Sequence, residues 1–233
     1  MIIISAALIS GWVIFSSCNN SGVAAELQEP VAMPSENINN LNPGAGTADS
    51  KEKTTADLLA AFKGETTASA KYAAYSKKAE QEGYHQVALL FKAASTAEKI
   101  HASNHQAVLE ESGTNVAPVT PEFTVKSTKE NLQDAIKGET YEAVTMYPEF
   151  LKDAEAAGNQ LALISLNYAY KTEKKHKVMY ENALTALEKN NVKSLPSTYY
   201  VCGTCGNTYD AAPPQRCGIC MSGSEKFIKV DRL

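Results

Sequence analysis

Four stretches of this chain have the three- and four-residue spacing of amphipathic helices, and each carries acid in the middle of its apolar stripe. The first stripe is Leu58, Phe62, Glu65, Ser69 and Tyr72. The second is Phe91, Ala94, Glu98, His101 and His105. The third is Leu132, Ile136, Glu139, Glu142 and Phe150, and the fourth is Leu166, Ala169, Glu173, His176, Tyr180 and Leu187. Carboxylates sunk in an apolar core must take up protons, find positive charge or destabilise the fold. No Lys or Arg shares these stripes. Two divalent or trivalent metal ions would supply the missing charge. Glu98-x-x-His101 and Glu173-x-x-His176 each put a carboxylate and an imidazole on one helix face, where the Glu can bridge two ions and the His bind one. One Glu from each of two helices plus Glu-x-x-His from each of the other two is a known di-metal plan for a four-helix bundle.

The stripes come as an internal repeat. Lys63-Gly64-Glu65 recurs 74 residues later as Lys137-Gly138-Glu139, whereas Tyr72, Gly83, Glu98 and His101 recur 75 residues later as Tyr147, Gly158, Glu173 and His176. Each copy is two helical runs broken by a glycine that can stop a helix. The runs are expected near 55–82, 84–111, 128–157 and 160–190, with one long crossover at about 113–127. Ser127-x-x-Glu130 is a capping-box signature for the third run, and Thr54-x-x-Asp57 a weaker one for the first. The offset grows by one residue between Glu and Tyr. Seven helical steps keep a side chain on its face, and eight overshoot by about 80°. If Tyr72 and Tyr147 play matching inward roles, the third helix must absorb a residue, and the spacing predicts a π-bulge between Glu139 and Pro148. The copy with the insertion also has an extra acid, Glu142, where the first copy has Ala68.

The two ends differ from this middle. Residues 1–17 carry no charge, and Ser16-Ser17-Cys18 is similar to the end of a bacterial lipobox, so 1–18 reads as an export leader with lipid on Cys18. An uncleaved anchor or a plain signal peptide are the alternatives. This implies an exported, membrane-anchored lipoprotein of the cell envelope or periplasm, with a cytoplasmic location as the alternative. No twin-Arg pair is present, so the metals would be loaded after export. Residues 19–53, rich in small and polar types, read as a flexible tether. At the other end, Cys202-x-x-Cys205 and Cys217-x-x-Cys220 can form a tetrahedral four-thiolate site for iron or zinc, with two disulfides as the alternative. The net charge of −4, from 22 Lys+Arg and 26 Asp+Glu, leaves no basic block for nucleic acid. No Gly-x-Gly-x-x-Gly dinucleotide fingerprint is present. His105 is expected to support the site rather than ligate, His85 to be solvated, and Lys171–Lys175 to form a solvated face around Glu173.

Over about 54–233 the chain resembles the rubrerythrins. That resemblance implies a mainly α protein: a ferritin-like four-helix di-iron bundle at 54–192, followed by a small rubredoxin-like β domain with metal knuckles at 197–233. It implies Glu65, Glu98, His101, Glu139, Glu142, Glu173 and His176 as di-iron ligands, and Cys202, Cys205, Cys217 and Cys220 as ligands of a single iron, or of zinc. It implies that one iron shifts between Glu142 and His101 on redox change, and that Tyr72 and Tyr147 orient carboxylates. The implied activity is reduction of hydrogen peroxide to water, with electrons relayed from the rubredoxin-like iron and supplied by an unidentified donor or reductase. A head-to-tail homodimer, with one chain's small domain facing its partner's bundle, is also implied. Ferroxidase or iron-handling activity and a non-enzymatic zinc-binding role are the competing readings. The family pattern has Gly after the second Cys of each knuckle. Gly206 fits, but Met221 would be strained wherever that position needs positive φ.

Overall fold

The computed structural model describes residues 46–233. Thr47 opens α1 (Ala48–Gln81), its side chain accepting from the Ser50 amide at 3.2 Å. Helix α2 (His85–Glu111) runs back antiparallel. Gly83 between them has φ +83°, with the Tyr84 amide bonded to the Ala79 carbonyl and the Gly83 amide to Glu80, the paired bonds of a Schellman stop. The crossover then leads to Ser127, which forms the expected capping box with Glu130 and opens α3 (Thr128–Tyr141). A five-residue π-turn, Glu142–Met146, connects α3 to α4 (Tyr147–Ala156). Gly158 repeats the Schellman stop, and Asn159 caps α5 (Gln160–Glu188). The four runs pack as two antiparallel pairs, α1 with α2 and α3–α4 with α5. The π-turn falls where the eight-residue spacing requires it.

A short 3-10 turn at Val192–Ser194 leads into a three-stranded antiparallel sheet of order β2-β1-β3: β1 (Tyr199–Cys202), β2 (Thr208–Tyr209) and β3 (Phe227–Val230). Tyr200 faces Tyr209 across one edge, and Cys202 faces Phe227 across the other. This small domain lies against α2 and α5 of its own chain. Asn104 donates to the Thr204 carbonyl at 3.0 Å, and Lys92 to the Arg232 carbonyl at 2.9 Å.

Several boundaries move. Helix α1 starts at Ala48, inside the stretch that composition assigned to the tether, and Thr54-x-x-Asp57 is not a cap. Thr54 is buried in the second turn, its hydroxyl donating to the Ser50 carbonyl, and Asp57 is buried too. Lys53 ties these early turns to Asp153 on α4, a tertiary partner that local composition does not reveal. The inward stripe of α1 also passes through Ala61 and Ala68, whereas Phe62 and Ser69 are half-buried. The expected leader, the expected lipidation site Cys18 and the expected tether up to residue 45 lie outside the described residues. Among the described residues, no helix is long and apolar enough to cross a membrane.

Met221 has φ +63°, in the left-handed region, while its counterpart Gly206 has φ +77°. A side chain there costs about 1–2 kcal/mol. Met221→Gly should therefore stabilise the second knuckle by about 1 kcal/mol, after allowing for glycine's greater unfolded-state entropy. The expected readout is slower extraction of metal from the four-cysteine site by a chelator.

Candidate metal centre

Six buried side chains from four helices converge in the middle of the bundle. Glu65 comes from α1, Glu98 and His101 from α2, Glu139 from α3, and Glu173 and His176 from α5; none is more than 1% exposed. Their donor atoms form two groups of four, Glu65–Glu98–His101–Glu173 and Glu98–Glu139–Glu173–His176, each within a 4.8 Å span. Glu98 and Glu173 belong to both. Glu98 turns Oε2 to His101 Nδ1 (2.9 Å) and Oε1 to His176 Nδ1 (3.0 Å), while Glu173 turns Oε1 to His101 (2.9 Å) and Oε2 to His176 (3.0 Å). Each shared carboxylate thus spans both halves, and Glu65 and Glu139 complete one group each.

The donor set fits a pair of metal ions. Glu65 Oε2, both oxygens of Glu98, Glu139 Oε2, Glu173 Oε1 and His101 Nδ1 are buried without a hydrogen-bond partner. His101 Nδ1 lies 2.9 Å from two carboxylate oxygens yet is not aligned to bond either. Ligands about 2.1 Å from a common ion and at right angles stand about 3.0 Å apart. The far side of each ring sets its tautomer. His101 Nε2 sits 3.2 Å from the Cys205 carbonyl, which can only accept, so Nε2 carries the hydrogen. Thr208 donates to the Gly206 carbonyl, so its oxygen accepts from His176 Nε2 at 2.9 Å. A metal-bound imidazole is neutral, and with the hydrogen held on Nε2 it is Nδ1 of each ring, the nitrogen facing the carboxylates, that would take the ion.

Two tyrosines cross between the repeats. Tyr72 on α1 donates to Glu139 Oε1 of the second copy at 2.7 Å, and Tyr147, which follows the π-turn, donates to Glu65 Oε1 of the first. Behind Tyr147 stands His105, bonded through Nε2 to the phenol (3.2 Å) and through Nδ1 to Ser165 Oγ (2.8 Å). Burial and the nearby His101 charge push the His105 pKa down to about 3, so the ring is neutral. Since Tyr147 donates forward, its oxygen accepts from His105 Nε2–H, and Nδ1 accepts from Ser165. His105 therefore supports the site rather than entering it. At the matching position of the second copy Tyr180 packs edge-on against Tyr72 with a centroid distance of 5.5 Å, and its hydroxyl has no partner. Glu142, on the π-turn, is half-buried and stands outside both four-atom groups; burial, and then the charges of Glu65 and Glu139, raise its carboxyl pKa well above the usual range.

The four cysteines form the second donor set. Their sulfurs lie within 4.8 Å of one another, with 3.6 Å between Cys202 and Cys220 and 3.5 Å between Cys205 and Cys217, and no disulfide joins them. A tetrahedral ion with 2.3 Å bonds to sulfur sets its ligands about 3.8 Å apart. Sequence reasoning anticipated neither Ser165, Thr208 nor Asn207, whose roles depend on contacts between distant segments. It also read Lys175 as part of a solvated face, whereas its side chain reaches Asn207. His85, in contrast, is on the surface, paired with Glu80.

Residues 57–184 match the family model described as rubrerythrin. Rubrerythrin-2 from Clostridium acetobutylicum is 33% identical over 179 residues, covering 76% of this chain and 97% of that protein. Nigerythrin from Nitratidesulfovibrio vulgaris is 31% identical over 193 residues, covering 82% and 94%. Among solved structures, the fully reduced, all-ferrous state of nigerythrin superposes with a TM-score of 0.68 at 31% identity, covering 82% of this chain and 95% of that one. A bacterioferritin from Rhodobacter capsulatus shares the bundle fold at 21% identity and TM-score 0.54.

Metal removal should expose the charge problem as a pH dependence. Burial, reinforced by Glu173, raises the Glu65 pKa to about 7, and burial likewise raises Glu139. Burial opposes charge on His101 and His176, but the surrounding carboxylates outweigh it and raise both pKa values. Each of these groups binds its proton more tightly folded than unfolded, so the stability it contributes is lost as pH rises through the folded pKa. Glu173, held down to about 2 by the two imidazoles despite burial, acts in the opposite sense only at acid pH. The metal-free protein should lose several degrees of Tm between pH 5 and 8, whereas the loaded protein should stay nearly level. Thermal scans of both forms across that range check this.

Proposed function

The chain belongs to the rubrerythrin family, and on that premise we propose that it is a non-haem di-iron peroxidase that protects against oxidative stress. The overall reaction converts hydrogen peroxide, two electrons and two protons to two molecules of water. The observation that carries this reading is the meeting of the two donor sets: His101 of the carboxylate set reaches the backbone carbonyl of Cys205, a member of the four-thiolate set. A bundle that only stored or oxidised iron has no use for a one-electron site abutting a ligand. When bound, iron supplies one electron per ion at the paired site and a one-electron couple at the thiolate site.

The protein's own residues divide the remaining work. Glu98 and Glu173 span the two halves and keep them at a fixed separation. Tyr72 and Tyr147 each hold one oxygen of a terminal carboxylate and leave the other free, and the Ser165–His105 pair holds Tyr147 in turn. Burial of all six donor residues keeps bulk water from the reacting centre. Glu142 and His101 are the pair assigned to redox-linked exchange. His101 occupies the donor group and Glu142 waits outside it, and the longer, looser turn of the π-segment gives Glu142 room to move. The Cys205–His101 contact supplies the route by which electrons return to the bundle.

Stopped-flow mixing of the fully reduced protein with peroxide or with oxygen tests the reaction. Oxidation by peroxide should be faster by at least about tenfold, and a faster reaction with oxygen would favour ferroxidase chemistry. A protein isolated with zinc at both sites would remove the redox reading altogether.

Gly206→Ala tests the relay. A Cβ at this position would stand 2.3 Å from His101 Nε2, on a backbone already at φ +77°. The variant should push the small domain off His101. Re-reduction of the bundle should slow by more than about tenfold, and by clearly more than peroxide oxidation of protein reduced beforehand, which the disturbance of His101 also slows. Equal slowing of both phases would count against the relay.

A further inference from the structure

The bundle also reaches into the four-thiolate site from outside it. Lys175, the residue before His176 on α5, is half-buried and donates from Nζ to Asn207 Oδ1 at 2.6 Å, with the ammonium 4.5 Å from the centre of the Tyr209 ring. Asn207 is 1% exposed. Its amide could stand either way round, and Lys175 decides which. An ammonium has only hydrogens to give, so the carbonyl end must face it. The Nδ2 end then faces the metal site and spends its two hydrogens on Cys217 Sγ (3.5 Å) and the Tyr209 phenol oxygen (2.9 Å). That oxygen also accepts from the Gly218 amide at 2.9 Å. With two donors already on its lone pairs, the phenol aims its own hydrogen at Cys217 Sγ, 3.8 Å away. One cation on the bundle therefore orients two side-chain donors toward one sulfur.

We propose that Lys175 is a positioning residue for the four-thiolate site: by fixing the Asn207 amide it directs the Asn207 and Tyr209 donors onto Cys217 and raises the reduction potential of the iron bound there. The inference rests on the iron reading of that site given above. Donors to a thiolate stabilise the reduced site, which carries one more negative charge, more than the oxidised one. Without Lys175 the amide is free to turn its oxygen toward Cys217, and both donors are lost together. Because Lys175 belongs to α5, the potential of the small domain depends on its being docked on the bundle. An undocked small domain is the poorer electron acceptor.

The test is a redox titration of the iron-loaded full chain, following the visible ferric–thiolate absorption. At the wild-type midpoint, Lys175→Met should raise the oxidised-to-reduced ratio about tenfold, a fall of about 59 mV for a one-electron couple. Lys175→Arg keeps the donors and should stay within about twofold of wild type. Asn207→Leu should shift the ratio about as far as Lys175→Met, and adding Lys175→Met to Asn207→Leu should change it less than twofold further. A wild-type midpoint in Lys175→Met with intact ferric–thiolate bands overturns the proposal. So does a full further shift in the double variant, since the charge would then act through space and not through Asn207. If the wild-type protein, isolated and iron-loaded, shows no ferric–thiolate bands, the iron reading itself fails and the proposal falls with it.

Discussion

Negative charge buried without a fixed cation governs this structure. Glu65, Glu98, Glu139 and Glu173 are almost wholly shielded from water, and among the described residues two imidazoles are their only close basic neighbours. A lysine or arginine at this depth would neutralise the charge and leave a salt-bridged core with no chemistry. The chain instead provides oxygen and nitrogen atoms with nothing to bond and leaves the positive charge to come from metal. The fold and the proposed activity thus share one requirement. The ions that would make the core electrostatically tolerable are the ones to which the proposed function gives the electrons.

Such a centre works only if its ligands are held from behind, and the repeat accomplishes this by crossing over. Each copy's tyrosine holds the other copy's terminal glutamate, so neither half of the bundle completes the site alone. The crossing demands that both tyrosines face inward. In the second copy an extra residue would rotate Tyr147 away, and the π-turn takes up that rotation. The same irregularity carries Glu142, an acid with no counterpart in the first copy. The halves also part behind their tyrosines. His105 and Ser165 extend a directed hydrogen-bond chain from Tyr147, whereas Tyr180 leaves Tyr72 with only aromatic packing. Two-fold symmetry therefore holds for the four bridging and terminal carboxylates and breaks one layer further out.

The small domain completes the centre. Its backbone and Thr208 occupy the outer nitrogens of both histidines, which keeps Nδ1 of each ring turned inward as a ligand. The approach is close enough that only glycine fits at Gly206, and the same close approach brings a cysteine carbonyl to a bundle histidine. Docking, ligand tautomer and the proposed electron path all rest on one contact. Lys175 extends the dependence in the other direction, from the bundle to a cysteine sulfur.

Periodicity and spacing were enough to identify the helices, the acids on their inner faces, the in-register Glu-x-x-His pairs, the knuckle cysteines and even the π-turn. All of these are set by local geometry: how far a helix rotates per residue, and which side chains share a face. Local composition misplaced the start of α1, because Lys53 is held by Asp153 from a distant helix. It misread Lys175 as solvent-facing, because the surface that covers it comes from the small domain. The tautomers of His101 and His176, the role of Ser165 and the orientation of Asn207 were likewise beyond reach of the sequence. Each is decided by which atom of a remote segment stands within hydrogen-bonding distance. The sequence by itself determined which residues could carry the metals, since that follows from rotation along one chain segment. Only the tertiary structure decided how those residues are aimed and supported, since that follows from contacts between segments whose separation along the chain says nothing about their meeting.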